Sequence, residues 1–387
     1  MYVSRVRLQN WKNFVECDVS LRRRAFLVGP NASGKSNFLD AFRFVHDIAS
    51  SGGGLDTAVS ARGGVKKVRS LAARRKNDVE LHFELADDDS LEPVWTYTLA
   101  FGQEPSGARR TIVTRETVVE RGKTILNRPD EGDESDPLRL TQTYLEQINA
   151  NKAFRDISTF FFTLSYVHLI PQVIRQPDAF SPSGGKPDDD SFGFRFLESI
   201  SKTAKHTRQA RLRRIEEALR IAVPQLKNLS LTTDDMGVPH LEVIYEHWRP
   251  NAGRQQEYQF SDGTIRLIGF LWAVLDASSL LLLEEPELSL HPAIVRELPA
   301  ILYRLNRSKK RPIQSLVSTH SPDLLSDRSV AADEIVLFVP EADGTRTSPA
   351  TAYPDVVALL EAGMAPGEVV IPRSVPTRIE QFSLFGS

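Results

Sequence analysis

The fold of this chain is decided by one stretch, Ala25-Phe26-Leu27-Val28-Gly29-Pro30-Asn31-Ala32-Ser33-Gly34-Lys35-Ser36-Asn37. Its apolar start, residues 25–28, predicts a buried strand, and residues 29–36 match the pattern G-x-x-x-x-G-K-[ST] at every fixed position. Apolar Phe38, Phe42 and Val45 follow at helical spacing. A strand, a glycine-rich loop and a helix in this order are the context that the pattern requires, so we predict a phosphate-binding loop.

The residue types of this loop suit an anion. Gly29 and Gly34 allow the backbone to curl so that successive N–H groups point inward, and the following helix adds the positive end of its dipole. We expect Lys35 to reach the β- and γ-phosphates of a nucleotide and the Ser36 hydroxyl to ligate Mg²⁺. The whole run from Gly29 to Asn37 is therefore predicted to bind nucleotide. The alternative is a glycine turn that matches the pattern by chance.

Composition places the chain among ordinary globular proteins. Hydrophobic residues make up 41% and charged residues 25% of its 387 residues, and the formal net charge is −2. This balance gives no overall attraction to nucleic acid. A single cysteine, Cys17, excludes a disulfide within the chain and fits a reducing compartment. The sequence has neither a run of 18 uncharged apolar residues nor a signal peptide, so we expect a cytoplasmic protein.

Polarity patterns divide the chain into three predicted parts. Residues 1–137 carry the phosphate loop and alternating segments typical of an antiparallel β subdomain, with an acidic, mobile loop expected over 127–137. Residues 138–227 are mostly helical and form an inserted lobe, in which the Pro-, Ser-, Gly- and Asp-rich run 177–190 predicts a disordered or lid-like loop. Residues 228–387 return to strands and helices and complete a parallel sheet.

A second motif is a run of four leucines, Leu280 to Leu283, followed by Glu284 and Glu285. The leucines predict a fully buried strand, and the carboxylates stand at its C-terminal end, where α/β sheets bind ligands. We expect Glu284 to hold Mg²⁺, directly or through water. Glu285 points to the opposite side of the chain and is expected to polarise an attacking water. The alternative is a buried strand that ends in a solvated acidic turn.

Two further segments complete the set. Ser261 and Gly263 precede an apolar helix, and we expect Ser261 to cap it, so that the free N–H groups of the helix form a second anion site. A plain N-cap is the alternative. His320 follows another strand, residues 314–319, and is expected to hydrogen-bond a γ-phosphate oxygen. A lone histidine at a strand end is more often structural.

The order of these motifs resembles that of ABC-type ATPases. The phosphate loop, the run 261–264, the acidic strand and the strand with His320 resemble Walker A, the signature, Walker B and the switch histidine. With the N-terminal strand and turn of residues 5–13 and the run 284–292, the chain resembles the RecF/SMC/OLD branch of predicted ATPases over nearly its whole length. The resemblance implies an α/β, ABC-ATPase P-loop fold with an antiparallel β subdomain and an inserted helical lobe.

The resemblance also implies roles for the motif residues. Lys35 and Ser36 would bind phosphate and Mg²⁺, Glu285 would be the catalytic base, and His320 would be the switch. Glu284 stands where transporters have Asp, a departure that OLD-like ATPases resemble. The implied activity is hydrolysis of ATP with Mg²⁺ as cofactor.

Other implied roles concern a partner subunit and the edges of the site. Ser261 and Gly263 are implied to contact the nucleotide of a partner, so that ATP closes a homodimer or higher oligomer and hydrolysis opens it. The family's metal-binding glutamine lies before the helical insert, and both Gln142 and Gln147 are open for this role. Lys12 is expected to approach the nucleotide, as basic residues of the family's N-terminal turn do. OLD enzymes also carry a Toprim nuclease, whose acidic spacing this chain does not show.

Two functions agree with this set of motifs. The first is an ATPase whose ATP-driven dimerisation controls a DNA-related process, either DNA repair or anti-phage defence. The second is an ATP-gated scaffold or sensor that holds or releases an effector protein such as a nuclease. The basic segments 62–76 and 195–220 suit contact with DNA phosphates, but solvated surface faces explain them equally well. Neither function involves a membrane.

Overall fold

The computed structural model describes residues 1–73, 78–87, 92–176, 193–246, 253–307, 309 and 312–374. The chain divides into two compact units. The first comprises Met1–Leu164, Ser278–Leu282 and Ile313–Ser387, and the second comprises Ser165–Ala277 and Leu283–Pro312. The boundaries predicted after residues 137 and 227 do not coincide with this division. The predicted lid-like loop 177–190 lies outside the described residues.

The strands of the described residues follow the alternating and apolar runs of the sequence. They are β1 (Tyr2–Trp11), β2 (Phe14–Ser20), β3 (Arg24–Val28), β4 (Val79–Ala86), β5 (Trp95–Gln103), β6 (Thr111–Glu120), β7 (Lys123–Arg128), β8 (Ser165–Val167), β9 (Leu226–Thr233), β10 (Pro239–Tyr245), β11 (Arg254–Gln256), β12 (Leu280–Glu284), β13 (Gln314–Thr319), β14 (Ile335–Glu341) and β15 (Gly344–Pro349).

The helices of the described residues range from one turn to five. They are α1 (Lys35–Ala49), α2 (Leu55–Ser60), α3 (Val65–Val68), α4 (Glu131–Ser135), α5 (Arg155–Phe162), α6 (Pro171–Arg175), α7 (Phe196–Lys202), α8 (Lys205–Ala222), α9 (Asp262–Asp276), α10 (Pro292–Val295), α11 (Leu298–Arg307), α12 (Pro354–Glu361) and α13 (Pro366–Val370). None of them combines the length and the apolar character needed to cross a bilayer.

The apolar run before the phosphate loop becomes β3, inside a sheet of the first unit that is mixed and not purely parallel, because β14 and β15 pair antiparallel. The strand order is β15-β14-β3-β13-β12, and β3 pairs in parallel with both β13 and β14. Residues 25–28 are fully buried, as expected for a strand covered on both faces. Gln314 anchors β13, because its buried side chain exchanges two hydrogen bonds with the backbone of Val3, at 2.9 and 2.8 Å.

Helix α1, which follows the loop, is fixed by aromatic packing. The ring of Phe38 lies 5.5 Å from that of Phe338, 5.6 Å from that of Phe42 and 6.5 Å from that of Phe14, all at steep angles. Such edge-to-face pairs add to the large apolar area that each ring buries. The start of α1, and with it Lys35, is therefore held by the core of the unit.

The alternating segments form an antiparallel sheet of order β2-β1-β4-β5-β6-β7, as predicted. At its edge Arg128 is fully buried and pairs with Glu116 at 3.0 Å and with Asp133 at 2.9 Å. Asp133 also forms a capping box with Asp130 at the start of α4. A buried guanidinium needs such partners, and here the segment after β7 supplies them. The prediction of a mobile loop over residues 127–137 is therefore wrong.

The second unit combines a small sheet with helices. Its strands pair antiparallel in the order β11-β10-β9, and α8 packs against β9 and against α9. Helix α9 is buried along most of its length, because residues 265–274 are almost all apolar. Its N-terminal turn, in contrast, carries the polar residues that the sequence singles out.

Candidate functional site

The phosphate loop of the first unit cages its own lysine. The Lys35 ammonium donates to the carbonyl oxygen of Gly29 at 2.7 Å and to that of Pro30 at 2.9 Å. The side chain is only 6% exposed, although it carries a charge. Burying an ammonium is costly unless hydrogen-bond acceptors satisfy it, and the loop supplies two backbone oxygens. The positive charge of Lys35 therefore lies within the loop at which an anion is predicted to bind.

Side chains from distant strands fix the conformation of the loop. Gly34 has a φ of 95°, and a Cβ there would lie 2.2 Å from the amide nitrogen of Asn13. That amide donates to the Thr345 hydroxyl at 2.7 Å, and the hydroxyl donates to the Ser33 carbonyl at 2.8 Å. Only glycine satisfies both the positive φ and the close approach of Asn13. These contacts therefore fix the conformation of the loop.

The loop residues fit a phosphate group. Ser33 Oγ is buried and has no hydrogen-bond partner among the described residues, so it is a polar atom available for a ligand. Asn31, Ala32 and Ser36 are exposed, and Ser36 stands in the first turn of α1. These features match the predicted cradle, in which N–H groups and a hydroxyl face an anion.

Lys12 forms an ion pair with the buried carboxylate of Asp40. Its ammonium contacts Asp40 at 2.5 Å, and Arg62 holds the same carboxylate with two hydrogen bonds of 2.8 and 2.9 Å. Burial alone would raise the pKa of Asp40, but the hydrogen bonds and charges of Arg62 and Lys12 outweigh it and lower this pKa. The approach of Lys12 to a nucleotide stays a prediction, and its ion pair with Asp40 is the contact that the structure shows.

His320 emerges beside the phosphate loop. In the parallel pairing of β3 and β13, Thr319 stands opposite Val28, so that His320 and Gly29 both follow at the same edge of the sheet. His320 is exposed, and the neighbouring Thr319 hydroxyl accepts a hydrogen bond from the Ser321 N–H at 2.9 Å. The register thus brings the histidine to the sheet edge on which the phosphate loop lies.

The two glutamines that the sequence leaves open line one cavity of the first unit. The cavity has a volume of about 700 Å³ and is bordered by Gly52–Gly54, Arg110, Gln142 and Gln147. The Gln147 amide donates to Gln142 Oε1 at 3.1 Å. None of residues 29–37 belongs to this lining. Ligation of Mg²⁺ by Gln142 stays a prediction.

Glu146 lines the same cavity and is held by backbone N–H groups. It accepts hydrogen bonds from the N–H of Leu55 at 2.7 Å and from that of Thr143 at 3.0 Å. Burial raises the pKa of Glu146 to about 7, although both N–H groups act in the opposite direction. This carboxyl therefore titrates near neutral pH, and no sequence signal points to it.

In the second unit, Ser261 caps α9 as predicted. Its Oγ accepts a hydrogen bond from the Thr264 N–H at 3.1 Å. A Cβ at Gly263 would lie 2.8 Å from the carbonyl oxygen of Ser289, a residue with a φ of 62°. Glycine at this position therefore lets the run after β12 approach the start of α9. The sequence foresees Ser261 and Gly263 but not this contact with Ser289.

Glu284, the first of the two acids at the end of β12, contacts two residues that the sequence does not single out. The Tyr166 hydroxyl of β8 donates to Glu284 Oε2, and His168 Nδ1 lies 3.4 Å from the Glu284 carbonyl oxygen. Glu285 follows with a φ of 44°, a left-handed conformation that is strained for a residue with a side chain.

A buried cation accompanies these carboxylates. Arg266, one turn into α9, is half-buried, and its Nε has no hydrogen-bond partner among the described residues. Burial lowers the pKa of Arg266, while the charges of Asp262, Glu285 and Glu287 act in the opposite direction. The start of α9 and the end of β12 thus share one electrostatic environment within the second unit.

The predicted site residues fall into two groups. The first unit contains the phosphate loop, Lys12, His320 and Gln142, and the second contains Ser261, Gly263, Glu284 and Glu285. In the first unit the strand register brings His320 and the phosphate loop to one sheet edge, whereas Gln142 lines a cavity to which residues 29–37 do not belong. The roles assigned to the individual residues stay predictions.

Comparison with protein families gives one match over most of the chain. The model of the family described as "AAA domain, putative AbiEii toxin, Type IV TA system" matches residues 24–326. The matched stretch begins at β3 and includes the phosphate loop, the start of α9, β12 and His320. No curated protein matches the chain.

Comparison with solved structures gives matches to SMC head domains. The SMC head bound to the C-winged helix domain of ScpA shares 15% identity, and the match covers 90% of this chain and 97% of that one with a TM-score of 0.51. The SMC head domain from Thermotoga maritima gives 14% identity, coverage of 90% and 99%, and a TM-score of 0.46. At this identity the first likeness shows the fold, and the resemblance to ABC-type ATPases of the SMC/RecF-like branch is confirmed.

Proposed function

The chain belongs to this AAA-domain family, and from this premise we propose that it binds and hydrolyses ATP and that ATP joins two copies into a dimer. The observation that carries the proposal is the caged ammonium of Lys35, held by the carbonyls of Gly29 and Pro30 inside a loop of defined conformation. A triphosphate would replace these two carbonyls as the partner of the charge. Charge-assisted contacts of this kind are about twice as strong as neutral hydrogen bonds.

In the proposed reaction, a phosphoryl group is transferred to water, and different residues of the site contribute to different parts of this step. Lys35 and the N–H groups of the loop bind the β- and γ-phosphates, and Glu285 orients the attacking water. Ser36 and Glu284 would hold Mg²⁺, which when bound neutralises charge that develops on the phosphates. Tyr166 keeps the Glu284 carboxylate in place by its hydrogen bond. Positioning and electrostatic stabilisation supply most of the rate in such reactions.

The N-terminus of α9 supplies the second half of the proposed dimer site. Ser261 caps the helix, and its remaining N–H groups and dipole attract an anion. In the proposed dimer this helix end faces the γ-phosphate bound by the partner copy, and His320 senses the same phosphate. The resemblance to ABC-type ATPases supports this arrangement.

The dimer is tested by trapping it. In Glu285→Gln the water is no longer activated, so ATP should persist and the dimer should accumulate. Light scattering with ATP and Mg²⁺ is expected to give twice the monomer mass for this variant and the monomer mass with ADP. A variant that binds ATP by calorimetry and still remains monomeric would refute the dimer while leaving nucleotide binding intact.

We propose further that dimerisation controls a DNA-related process, either DNA repair or anti-phage defence. Lys66 and Lys67 of α3 are exposed, and they lie beside Arg69 in the basic segment 62–76, of which residues 74–76 lie outside the described part. Replacing all three by Ala should weaken DNA binding and reduce its dependence on salt. As a control, Arg121 and Lys123 at the β6–β7 turn are replaced by Ala. They are exposed positive charges outside the basic segment, so DNA binding should be unchanged.

The alternative is an ATP-gated scaffold that holds or releases an effector protein. The structure named above pairs an SMC head with a domain of another protein, which supports this alternative for a chain of the same fold. Slow turnover, no stimulation by DNA and a protein that co-purifies with the ATP-bound form only would favour it. Strong stimulation of hydrolysis by DNA would favour the first proposal.

A further inference from the structure

The first position of α9 carries an acid where the proposed dimer needs to receive a phosphate. Asp262 follows the cap Ser261 and stands in the first turn of the helix. A carboxylate there interacts favourably with the helix dipole, but it also repels an incoming anion. The proposed trans site therefore contains a negative charge that something must offset.

A cation and an amide from α6 hold both oxygens of this carboxylate. Arg175 contacts Asp262 Oδ1 at 2.6 Å, and the Gln172 amide donates to Asp262 Oδ2 at 3.3 Å. Arg175 also donates to the carbonyl oxygen of Phe260 at 2.5 Å, on the other side of the cap. Its side chain is 21% exposed against 39% for Asp262, so the pair is partly shielded from solvent.

The second cation near Asp262 is shared. Arg266 interacts electrostatically with Asp262, but also with Glu285 and Glu287. The positive charge of Arg266 is therefore not reserved for Asp262. Arg175 is a separate cation that contacts Asp262 directly, and its contact with Phe260 fixes the turn before the helix.

We propose that Arg175 is a positioning residue that neutralises Asp262, so that the N-terminus of α9 can accept the γ-phosphate of ATP bound to the partner copy. The inference rests on the proposed ATP-dependent dimer. It assigns to Asp262 and Arg175 opposite effects on dimerisation: the bare carboxylate weakens it, and the arginine removes this penalty.

The test uses the trapped dimer. In a Glu285→Gln background, the dissociation constant of the ATP-bound dimer is measured by analytical ultracentrifugation for R175A, D262N and R175A/D262N. We expect R175A to weaken the dimer by about tenfold or more, because it leaves a charge uncompensated. D262N should dimerise at least as well as the parent, and R175A/D262N should recover most of the loss.

A matched control stands at the other end of the same helix. Arg211 pairs with Asp276, the last residue of α9, and its exposure of 20% is close to that of Arg175. R211A removes an Arg–Asp pair without touching the N-terminal turn, so the dimer should be unchanged. Melting temperatures of all variants show whether a weaker dimer follows from a less stable fold.

The outcomes separate the inference from the function on which it rests. If the Glu285→Gln parent stays monomeric with ATP, the proposed dimer fails and this inference fails with it. If the parent dimerises and R175A does too, only the inference is overturned. If D262N does not restore R175A, Arg175 acts through the turn at Phe260 and not through charge, and the inference is equally overturned.

Discussion

The start of α1 and the start of α9 are two helix N-termini with opposite designs. At α1, the loop closes on itself: Lys35 is buried, and Gly34 is locked by Asn13 and Thr345. At α9, the cap Ser261 is exposed, and the polar groups around it are charged and partly solvated. We expect the first helix end to bind an anion within one copy, and the second to meet an anion that is bound to a partner copy.

The difference lies in how each site balances charge. The phosphate loop holds a buried positive charge against two of its own backbone oxygens, which a ligand can replace as partners. The start of α9 combines Asp262 with the cations Arg175 and Arg266, so charges of both signs already interact there before any ligand arrives. We therefore expect substitutions at the loop to abolish nucleotide binding, and substitutions at α9 to change association of copies.

The largest expected effect is at the loop. Lys35→Ala should weaken ATP binding by about a hundredfold or more, because the loss of a buried charged contact costs about 3 kcal/mol. Isothermal calorimetry measures it, and Lys67→Ala on exposed α3 serves as the control. Unchanged affinity in Lys35→Ala would remove the distinction between the two helix ends.

A smaller effect is expected at α9. Gly263→Ala places a methyl group 2.8 Å from the Ser289 carbonyl, so the run after β12 must shift, at a cost of about 1–3 kcal/mol. We expect nucleotide affinity of the monomer to stay unchanged and the ATP-bound dimer to weaken by about tenfold. Ser289→Ala keeps the carbonyl and should be neutral. Loss of monomer affinity in Gly263→Ala would show that the helix end is not reserved for a partner.

Substitution of Lys12 distinguishes a structural role from a nucleotide-binding role near the phosphate loop. If its role is the ion pair with Asp40, Lys12→Ala should lower the unfolding free energy by about 1 kcal/mol and change ATP affinity by less than about threefold, since Arg62 still holds Asp40. If Lys12 approaches the nucleotide, as its position in the sequence predicts, affinity should fall by tenfold or more. Chemical denaturation and calorimetry on one sample separate the two.

The last prediction concerns the pH dependence of stability, which no helix end is expected to affect. The pKa of Glu146 is raised to about 7 by burial, so the folded state holds its proton above the usual carboxyl range. Stability should therefore decline as the pH rises from about 4.5 to about 7 and level off above that, because the unfolded state releases this proton first. Glu146→Gln should flatten this decline in thermal melts. Equal slopes for the two proteins would contradict it.

Much of the site could be predicted because its signals are local. The spacing from Gly29 to Ser36, the cap Ser261 and the leucine run before Glu284 each depend on neighbouring residues, and the structure places each on the expected element. Local chemistry fixes a loop, a cap or a strand end. Parallel pairing of β3 and β13 then brings the phosphate loop and His320 to one sheet edge.

Contacts between distant residues could not be predicted. Tyr166 and Glu284 are 118 residues apart, and Arg175 and Phe260 are 85 apart, so no periodicity connects them. Composition gave a wrong prediction at Asp133. An acidic, proline-containing run suggests a mobile loop, and the sequence does not show that Asp133 pairs with the buried guanidinium of Arg128. Such partners emerge only when the chain is folded.

Mixing two inactive variants tests most directly whether one ATP is held by two copies. Lys35→Ala lacks a working loop but keeps its α9, and Ser261→Arg keeps its loop but has a blocked helix end. Alone, neither should form an ATP-bound dimer, whereas an equimolar mixture should form heterodimers with one complete site and recover ATP hydrolysis. A mixture that stays monomeric and inactive, although each variant is folded and Ser261→Arg binds ATP, would contradict the account.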